Sequence, residues 1–505
     1  MLSTSEAVAN AVETLVLPNT YRDSVELMRV AAELESRPGV QRAALMIATA
    51  ANRDVLLAAG LLTGDAVEAG PNDLVVAIAA EPAELGPALE EARKLLSGRT
   101  RVVAHGTAER AAPHSLREAL DEAPDASLVL ISTPGTYASA EALKALKAGL
   151  DVFLFSDNVS VDDEVELKTL ARRKGRLLMG PDCGTAILGG LPLGFANAVR
   201  AGGIGLIGAS GTGLQQVACL IDASSEGISE AIGVGGRDLD ARVGGTMMLS
   251  ALERLAADPA THVIVLVSKP PAPSVASRVL DAARSCGKPV VVNFLGAPPT
   301  ADEGNLVYAE TLEDAAAAAV ALARGEPVSK VPWALNGDLL AAASAESSRL
   351  NHASRRIVGL FSGGTLCKEA SHLLAGTDHD LLDLGDDEYT VGRPHPMIDA
   401  RLRSERIAAV GADPRAGVLL LDVVLGYGSH PDPAGALADA ISAARQQATD
   451  AGRYLAVVAS ICGTMSDPQP LAQQQATLSR LGVLVAPSNA QAARLAALVA
   501  GASAA

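Results

Sequence analysis

Uninterrupted apolar runs recur along the chain, and between them lie stretches whose apolar positions return every three or four residues. The runs are "AALMIAT" (43–49), "LVVAIAA" (74–80), "SLVLIST" (127–133), "VFLFSD" (152–157), "IGLIGAS" (204–210), "HVIVLVS" (262–268), "PVVVNFL" (289–295), "IVGLFS" (357–362), "GVLLLDVVLG" (417–426) and "YLAVVAS" (454–460). None alternates strictly between apolar and polar, so each reads as a strand buried on both faces. "SLREALDEA" and "SAEALKALKAG" are amphipathic at helical spacing. Strand and helix in alternation predict an α/β chain with parallel sheets and right-handed crossovers.

Two segments break the pattern. "LLSGRTRVVAHGTAERAAPHS" lies near residues 96–115, and "ARGEPVSKVPWALNGD" near 323–338 holds Pro and Gly before a polar helix. The later blocks come in two sets. "IGLIGASGTGLQQVACL" matches "IVGLFSGGTLCKEASHL", "GVGGRDLDARVGGTMML" matches "DLGDDEYTVGRPHPMID", "HVIVLVSKPPAP" matches "GVLLLDVVLGYGSHPDP", and "KPVVVNFLG" matches "LAVVASICG". The same blocks in the same order predict a duplicated flavodoxin-like domain. The expected layout is a small N-terminal α/β unit (1–98), a Rossmann-like domain (99–200), a first flavodoxin-like domain (201–325), a linker (326–355) and a second flavodoxin-like domain (356–505).

The chain has 505 residues, which at about 150 residues per domain fits three or four domains. Its net charge is −17 and its pI about 5.0, with no basic stripe, which argues against a nucleic-acid partner. Small anions remain suitable ligands, because backbone N–H groups hold them without net positive charge. The five cysteines (Cys183, Cys219, Cys286, Cys367, Cys462) form no CxxC pair. That predicts a cytoplasmic chain with no disulfide framework and no metal site built on cysteine. The N-terminus lacks the basic and apolar regions of a signal peptide, and no uncharged apolar run reaches about 18 residues, so no membrane segment is expected.

"ASGTGLQQV" places Ser210, Gly211, Thr212 and Gly213 after a buried strand and at the start of a helix. Glycines permit the tight turn, and free N–H groups with the helix dipole suit a phosphoryl or carboxylate group. "FSGGTLCKEA" supplies Ser362, Gly363, Gly364 and Thr365 in a second such turn; an ordinary capped turn is the alternative for each. No P-loop and no GxGxxG joins a first strand to its helix. Arg237, in "GVGGRDLD", could grip an anion or pair with a neighbouring acid. Lys269 ends one strand and His430 follows the matching one, where open α/β sheets bind ligands. Arg393 is a further substrate-binding candidate. Cys183, in "GPDCGTAI", could act as a nucleophile or pack in a core. In "LGDDEYTVGRPHPMIDA", Pro394 and Pro396 fix the backbone around His395, a candidate acid–base or hydrogen-bonding group; Asp386, Asp387 and Glu388 could orient it or hold Mg²⁺ through water. A stiff loop with a solvated histidine is the plainer alternative.

Taken together, "NTYRDSVELM", "FSDNVS", "GPDCGTAI", "GASGTG", "GGRDL", "SKPPAP", "GGTLC", "LGDDEYTVGRPHPMID" and "VLGYGSHPDP" resemble the succinyl-CoA synthetase superfamily, most closely its FdrA branch, over nearly the whole length. The resemblance implies that residues 124–296 correspond to the synthetase α subunit, with a CoA-binding-type domain ending at "GPDCGTAI" and a ligase domain after it. The part from residue 356 corresponds to the β-subunit ligase domain. It also implies that the two ligase domains face each other and offer two helix N-termini to one phosphate.

Two departures follow. The loop after "KPVVVNFLG" reads "APPTADEGNLVYAE" and lacks the family's phosphohistidine, and no His occurs between His262 and His352. The segment before residue 356 is too short for an ATP-grasp domain. No cofactor is required on these grounds; CoA and Mg²⁺ stay as candidates. Members of the FdrA branch are linked to ureide breakdown as a subunit of oxamate carbamoyltransferase, which implies transfer of an acyl or carbamoyl group to or from phosphate, small anionic substrates and partner subunits in a hetero-oligomer. A CoA ligase subunit with its nucleotide site on a partner chain, and a non-catalytic scaffolding subunit, are the alternatives.

Overall fold

In the computed structural model of the chain, residues 11–20, 22, 24–98, 113–297, 300–329, 335–390 and 394–502 are described. They fall into two compact units, one of residues 1–114 with 387–394, the other of 115–386 with 395–505.

In the first unit, the strand Leu74–Ala80 lies between Ala11–Leu17 and Val40–Ile47 and runs antiparallel to both. Leu74, Val76 and Ile78 pack with Val30, Leu34, Ala88 and Leu96 from the helices Ser24–Glu35 and Pro82–Gly98. Val75 and Ala77 face the other way, onto Leu56, Leu61 and Ala66. Both faces of the strand are covered, which accounts for its unbroken apolar run. The antiparallel direction departs from the parallel sheet expected throughout, because a run buried on both faces records burial and not direction.

The second unit begins with a parallel sheet of three strands, Leu128–Ile131, Asp151–Leu154 and Leu178–Met179. Its core continues into the next domain: Ile131, Phe153 and Met179 share one apolar cluster with Ile207, Met248 and Leu266. A buried ion cluster reinforces the join. Lys168 Nζ lies 2.8 Å from Glu164 and 2.8 Å from Asp238, and the Asp238 carboxylate accepts the N–H groups of Met247 and Met248 at the start of the helix Thr246–Ala257. Each charge is thus paired or hydrogen-bonded, as burial demands.

The duplicated part is plain in the strand order. In the first copy, the parallel strands run Leu306–Tyr308, Val290–Phe294, Val263–Ser268, Ala201–Gly208, Ile228–Gly233. The hairpin Thr185–Leu188 and Leu191–Gly194 adds an antiparallel edge. In the second copy they run Leu484–Ala486, Ala456–Cys462, Ala416–Val424, Arg356–Phe361, His379–Asp383. Both are the 2-1-3-4-5 order of flavodoxin-like sheets. Within the expected linker, the helix Gly337–Arg349 packs against the last helix, Asn489–Val499. Among the described residues, no helix is long and apolar enough to cross a membrane.

Candidate functional site: two helix starts in contact

Ligands of open α/β sheets collect at the carboxyl ends of the strands, where the chain turns into its helices. In the first copy Ser210 is the N-cap of the helix Gly211–Ala223, and its Oγ accepts the Gly213 N–H at 3.1 Å. A Cβ on Gly213 would stand 2.3 Å from that oxygen and 2.9 Å from Val267, so only glycine fits. In the second copy Gly363 is the N-cap of the helix Gly364–Leu373. The two turns therefore match with Ser210 against Gly363, and Thr212 against Thr365, one residue away from the pairing that the Ser-Gly spelling suggests.

The matched residues touch in reciprocal fashion. Thr365 Oγ1 lies 2.5 Å from Ser210 Oγ, and a Cβ on Gly363 would lie 3.0 Å from Thr212 Oγ1. Six of the eight turn residues are buried; the first helical residues, Gly211 and Gly364, keep accessible surface. The first N–H groups of a helix have no partner within it, so these two glycines are where the paired dipoles can meet an anion.

The second turn is not the simple anion cradle expected. Asp422, fully buried at the end of the strand Ala416–Val424, accepts the N–H groups of Ser362 at 2.9 Å and Gly363 at 2.8 Å and the Ser362 hydroxyl at 3.1 Å. Arg403 Nη2, also buried, donates to Asp422 at 2.7 Å and to the Leu360 carbonyl at 2.7 Å. Ser362 and Gly363 were expected to bind substrate anion; an internal carboxylate holds their donors instead. At the matching strand position the first copy has Val267, which supplies no such carboxylate.

Asp383, which the sequence did not single out, closes the strand His379–Asp383 beside Phe361. Its Oδ1 accepts the Gly385 N–H at 3.0 Å. Its Oδ2 crowds the second helix start: a Cβ on Gly364 would lie 2.3 Å away. Burial pushes this carboxyl up to about 6, aided by Asp422 and Asp386 and opposed by the Gly385 N–H and the Lys269 ammonium. Lys269 is exposed at the end of the strand Val263–Ser268, so the field of the first copy reaches an acid of the second.

His395 joins this group. Its Nδ1 accepts the Met397 N–H at 3.2 Å, which leaves the proton of the neutral ring on Nε2. Nε2 points at Gly385: a Cβ there would lie 2.8 Å from Nε2, 2.9 Å from the Ser362 carbonyl oxygen and 3.2 Å from Asp383 Oδ1. The ring leans on Phe195 with centroids 5.4 Å apart. Burial pushes His395 down to about 4, so it is a neutral N–H donor at pH 7.

The remaining candidates have other partners. Arg237 binds Glu164 at 2.9 Å and the Val159 carbonyl at 2.8 Å. His430 Nδ1 accepts the Asp432 N–H at 3.0 Å, and its side chain lines a small cavity with Met397 and Arg403. Asp386 is exposed and acts on Asp383 by charge. Asp387 opens the short helix Asp387–Thr390, but its side chain, like Arg393, lies outside the described residues. Burial pushes the Cys183 thiol up to about 12, which fits packing and not nucleophilic attack. Among the described residues no group of three or more His, Cys, Asp or Glu side chains could hold a metal ion.

Comparison with known proteins gives these features a family. The chain is 40% identical over 504 residues to the uncharacterized protein YahF of Escherichia coli K12, covering 95% of this chain and 96% of that one. This chain belongs to the YahF family. A CoA-ligase family model matches residues 360–499, the second flavodoxin-like copy. A CoA binding domain model matches residues 200–296, within the first copy, whereas the CoA-binding-type domain expected from the sequence spans 99–200. The YahF-family chain is also 30% identical over 198 residues to the ADP-forming succinate–CoA ligase subunit alpha 2 of Archaeoglobus fulgidus, covering 37% of this chain and 64% of that subunit. Among solved structures it is similar to an acetyl-coenzyme A synthetase 1 of Ca. Korarchaeum cryptofilum, at 18% identity and TM-score 0.33, covering 74% and 82% of the two chains. The chain thus carries succinyl-CoA ligase-type CoA-binding and ligase domains and is of the CoA-ligase enzyme type.

The N-terminal segment and the Rossmann-like sheet bear on the groups that these matches imply. Residues 10–113 match a model described as AllF, heavy metal-associated domain. All five cysteines lie from Cys183 onward, so this segment offers no thiolate to a heavy metal. In the three-stranded Rossmann-like sheet, Gly135 starts the first helix, and a Cβ on it would lie 2.2 Å from the Asp157 carbonyl oxygen. That glycine serves the close packing of this turn against the Asp157–Asn158 turn.

Proposed function

We propose that this protein is an FdrA-type subunit that moves an acyl or carbamoyl group to or from phosphate without a phosphohistidine. The specific reaction favoured is oxamate carbamoyltransferase chemistry in ureide breakdown, carried out in the cytoplasm with partner subunits. One observation carries the reading: two helix starts meet through the Ser210–Thr365 hydroxyl pair, with Gly211 and Gly364 keeping accessible surface beside it. The phosphate of carbamoyl phosphate would sit on those two N–H groups, with Lys269 supplying a cation and His395 Nε2–H a neutral donor. The acceptor amide nitrogen then bonds to the carbamoyl carbon, the carbon–oxygen bond to phosphate breaks, and phosphate leaves into donors already aimed at it. No step needs a phosphorylated imidazole, in keeping with the loop at 297–310, which contains no histidine.

A second reading is favoured by the CoA-ligase match over 360–499 and the CoA binding domain match over 200–296: a CoA ligase subunit whose nucleotide site lies on another chain. The test is phosphate release by the full chain with its co-encoded partners. Release from carbamoyl phosphate that depends on oxamate supports transfer. Release that requires ATP and CoA, with label from ATP retained on the chain, supports the ligase and ends the transfer reading.

A further inference from the structure

We propose that Asp383 is the catalytic acid–base group of this site, taking the acceptor's proton during transfer and releasing it afterwards. The inference rests on the transfer reading above. The placement carries it. Asp383 ends the strand next to the second helix start, and its Oδ2 is so close to Gly364 that no side chain fits between them. An anion on the Gly364 N–H would therefore lie against this carboxyl. Its other oxygen is fixed by Gly385, which puts both acid and His395 Nε2 around one small space.

Its surroundings decide its charge. Lys269 faces it from the first copy, Asp386 from its own loop, and Asp422 with Arg403 from the neighbouring strand and the helix Arg401–Ala412. Cys367 faces it from the helix Gly364–Leu373, and its thiol is pushed up to about 12 by burial, so it does not compete for protons near neutrality. His395 stays neutral down to about 4, and its Nδ1 is already taken by the Met397 N–H, so it is a poor base. Asp383, held near 6, can change its ionisation close to working pH. In the balanced step the carboxylate accepts one proton from the attacking amide nitrogen as the carbon–nitrogen bond forms. Phosphate departs with the electrons of the broken carbon–oxygen bond, and the proton later passes to solvent.

Sulfate, which does not titrate in this range, is the probe. Its binding to the full chain is measured by calorimetry from pH 5 to pH 7.5. With Asp383 neutral at pH 5 and ionised at pH 7.5, affinity should fall roughly tenfold across the range, by like-charge repulsion. Asp383→Asn should bind sulfate with little pH dependence. Lys269→Gln, at an exposed position, should weaken binding and raise the midpoint, because it removes the cation that favours the ionised acid. A flat profile in the natural chain, or one that survives Asp383→Asn unchanged, overturns the role of Asp383 and leaves the transfer site standing. No sulfate binding at any pH overturns the anion site and this inference with it. Should Asp383→Asn fail to fold, the midpoint in Lys269→Gln decides, and an unmoved midpoint counts against Asp383.

Discussion

Replacing Asp422 by alanine tests the account of the second helix start most directly. The carboxylate is the acceptor for two backbone N–H groups, one hydroxyl and the buried Arg403 guanidinium. Both members of the ion pair are nearly inaccessible, at 4% and 0% side-chain exposure. Removing one partner of such a pair leaves an orphan ion and costs about 3–5 kcal/mol, a large share of the roughly 5–15 kcal/mol that holds a domain together. At about 2–4 °C per kcal/mol for a domain of this size, that is a drop of about 6–20 °C in the melting of the second copy. Because several domains need not melt together, hydrogen exchange of the peptides covering 357–373 and 416–424 is the proper readout. Asp422→Ala combined with Arg403→Met removes both charges, so the double variant should be less destabilised than the sum of the single ones. An Asp422→Ala cost below about 1 kcal/mol, or strict additivity in the cycle, would refute the claim that this pair closes the turn.

Three other outcomes follow from the same contacts. Gly364→Ala should abolish phosphate release, since its Cβ would lie 2.3 Å from Asp383, whereas Gly211→Ala, whose Cβ meets Thr185 at 3.2 Å, should keep much of it; steady-state assays of both variants decide. Burial pushes Glu369 up to about 7, so the folded state binds its proton more readily than the unfolded state, and the stabilisation is full below about 4.5 and lost as pH rises through 7. Glu369→Gln should flatten that part of the melting-temperature profile, and an unchanged slope between pH 4.5 and 7.5 counts against it. Cys183, with its thiol pushed up to about 12, should resist iodoacetamide in the native chain at pH 8, and Cys183→Ala should retain activity; mass spectrometry and the same assay check this.

The fold was legible because burial on both faces leaves a strong trace. Every long apolar run became a strand, and the duplicated blocks became sheets of the same strand order. What escaped was short or partly wet: "ISEAIG" and "HDLLD" are strands with half-buried ends or faces, and composition gives them little contrast. The direction of the N-terminal strands escaped for another reason, since covering helices on either side produce the same run in parallel and antiparallel sheets.

The site was legible as a pair of turns and illegible in its asymmetry. Ser-Gly spelling aligned Ser210 with Ser362, but helix geometry aligns Ser210 with Gly363, because an N-cap is set by where the backbone turns and not by which residue can cap. The signal for the difference was present in "GVLLLDVVLG". One charge in a run buried on both faces must have a partner of opposite charge and several donors. Asp422 finds them in Arg403 and in the Ser362–Gly363 turn, and the first copy, with Val267 at that position, has none of this. Duplication therefore supplied two equivalent helix starts, and a single buried carboxylate made them unequal. The first has Val267 in that place, and the second is held from within beside Gly364 and Asp383. An acid near the carboxyl end of an apolar strand is thus the residue most worth asking about when a duplicated α/β chain offers two copies of one anion turn.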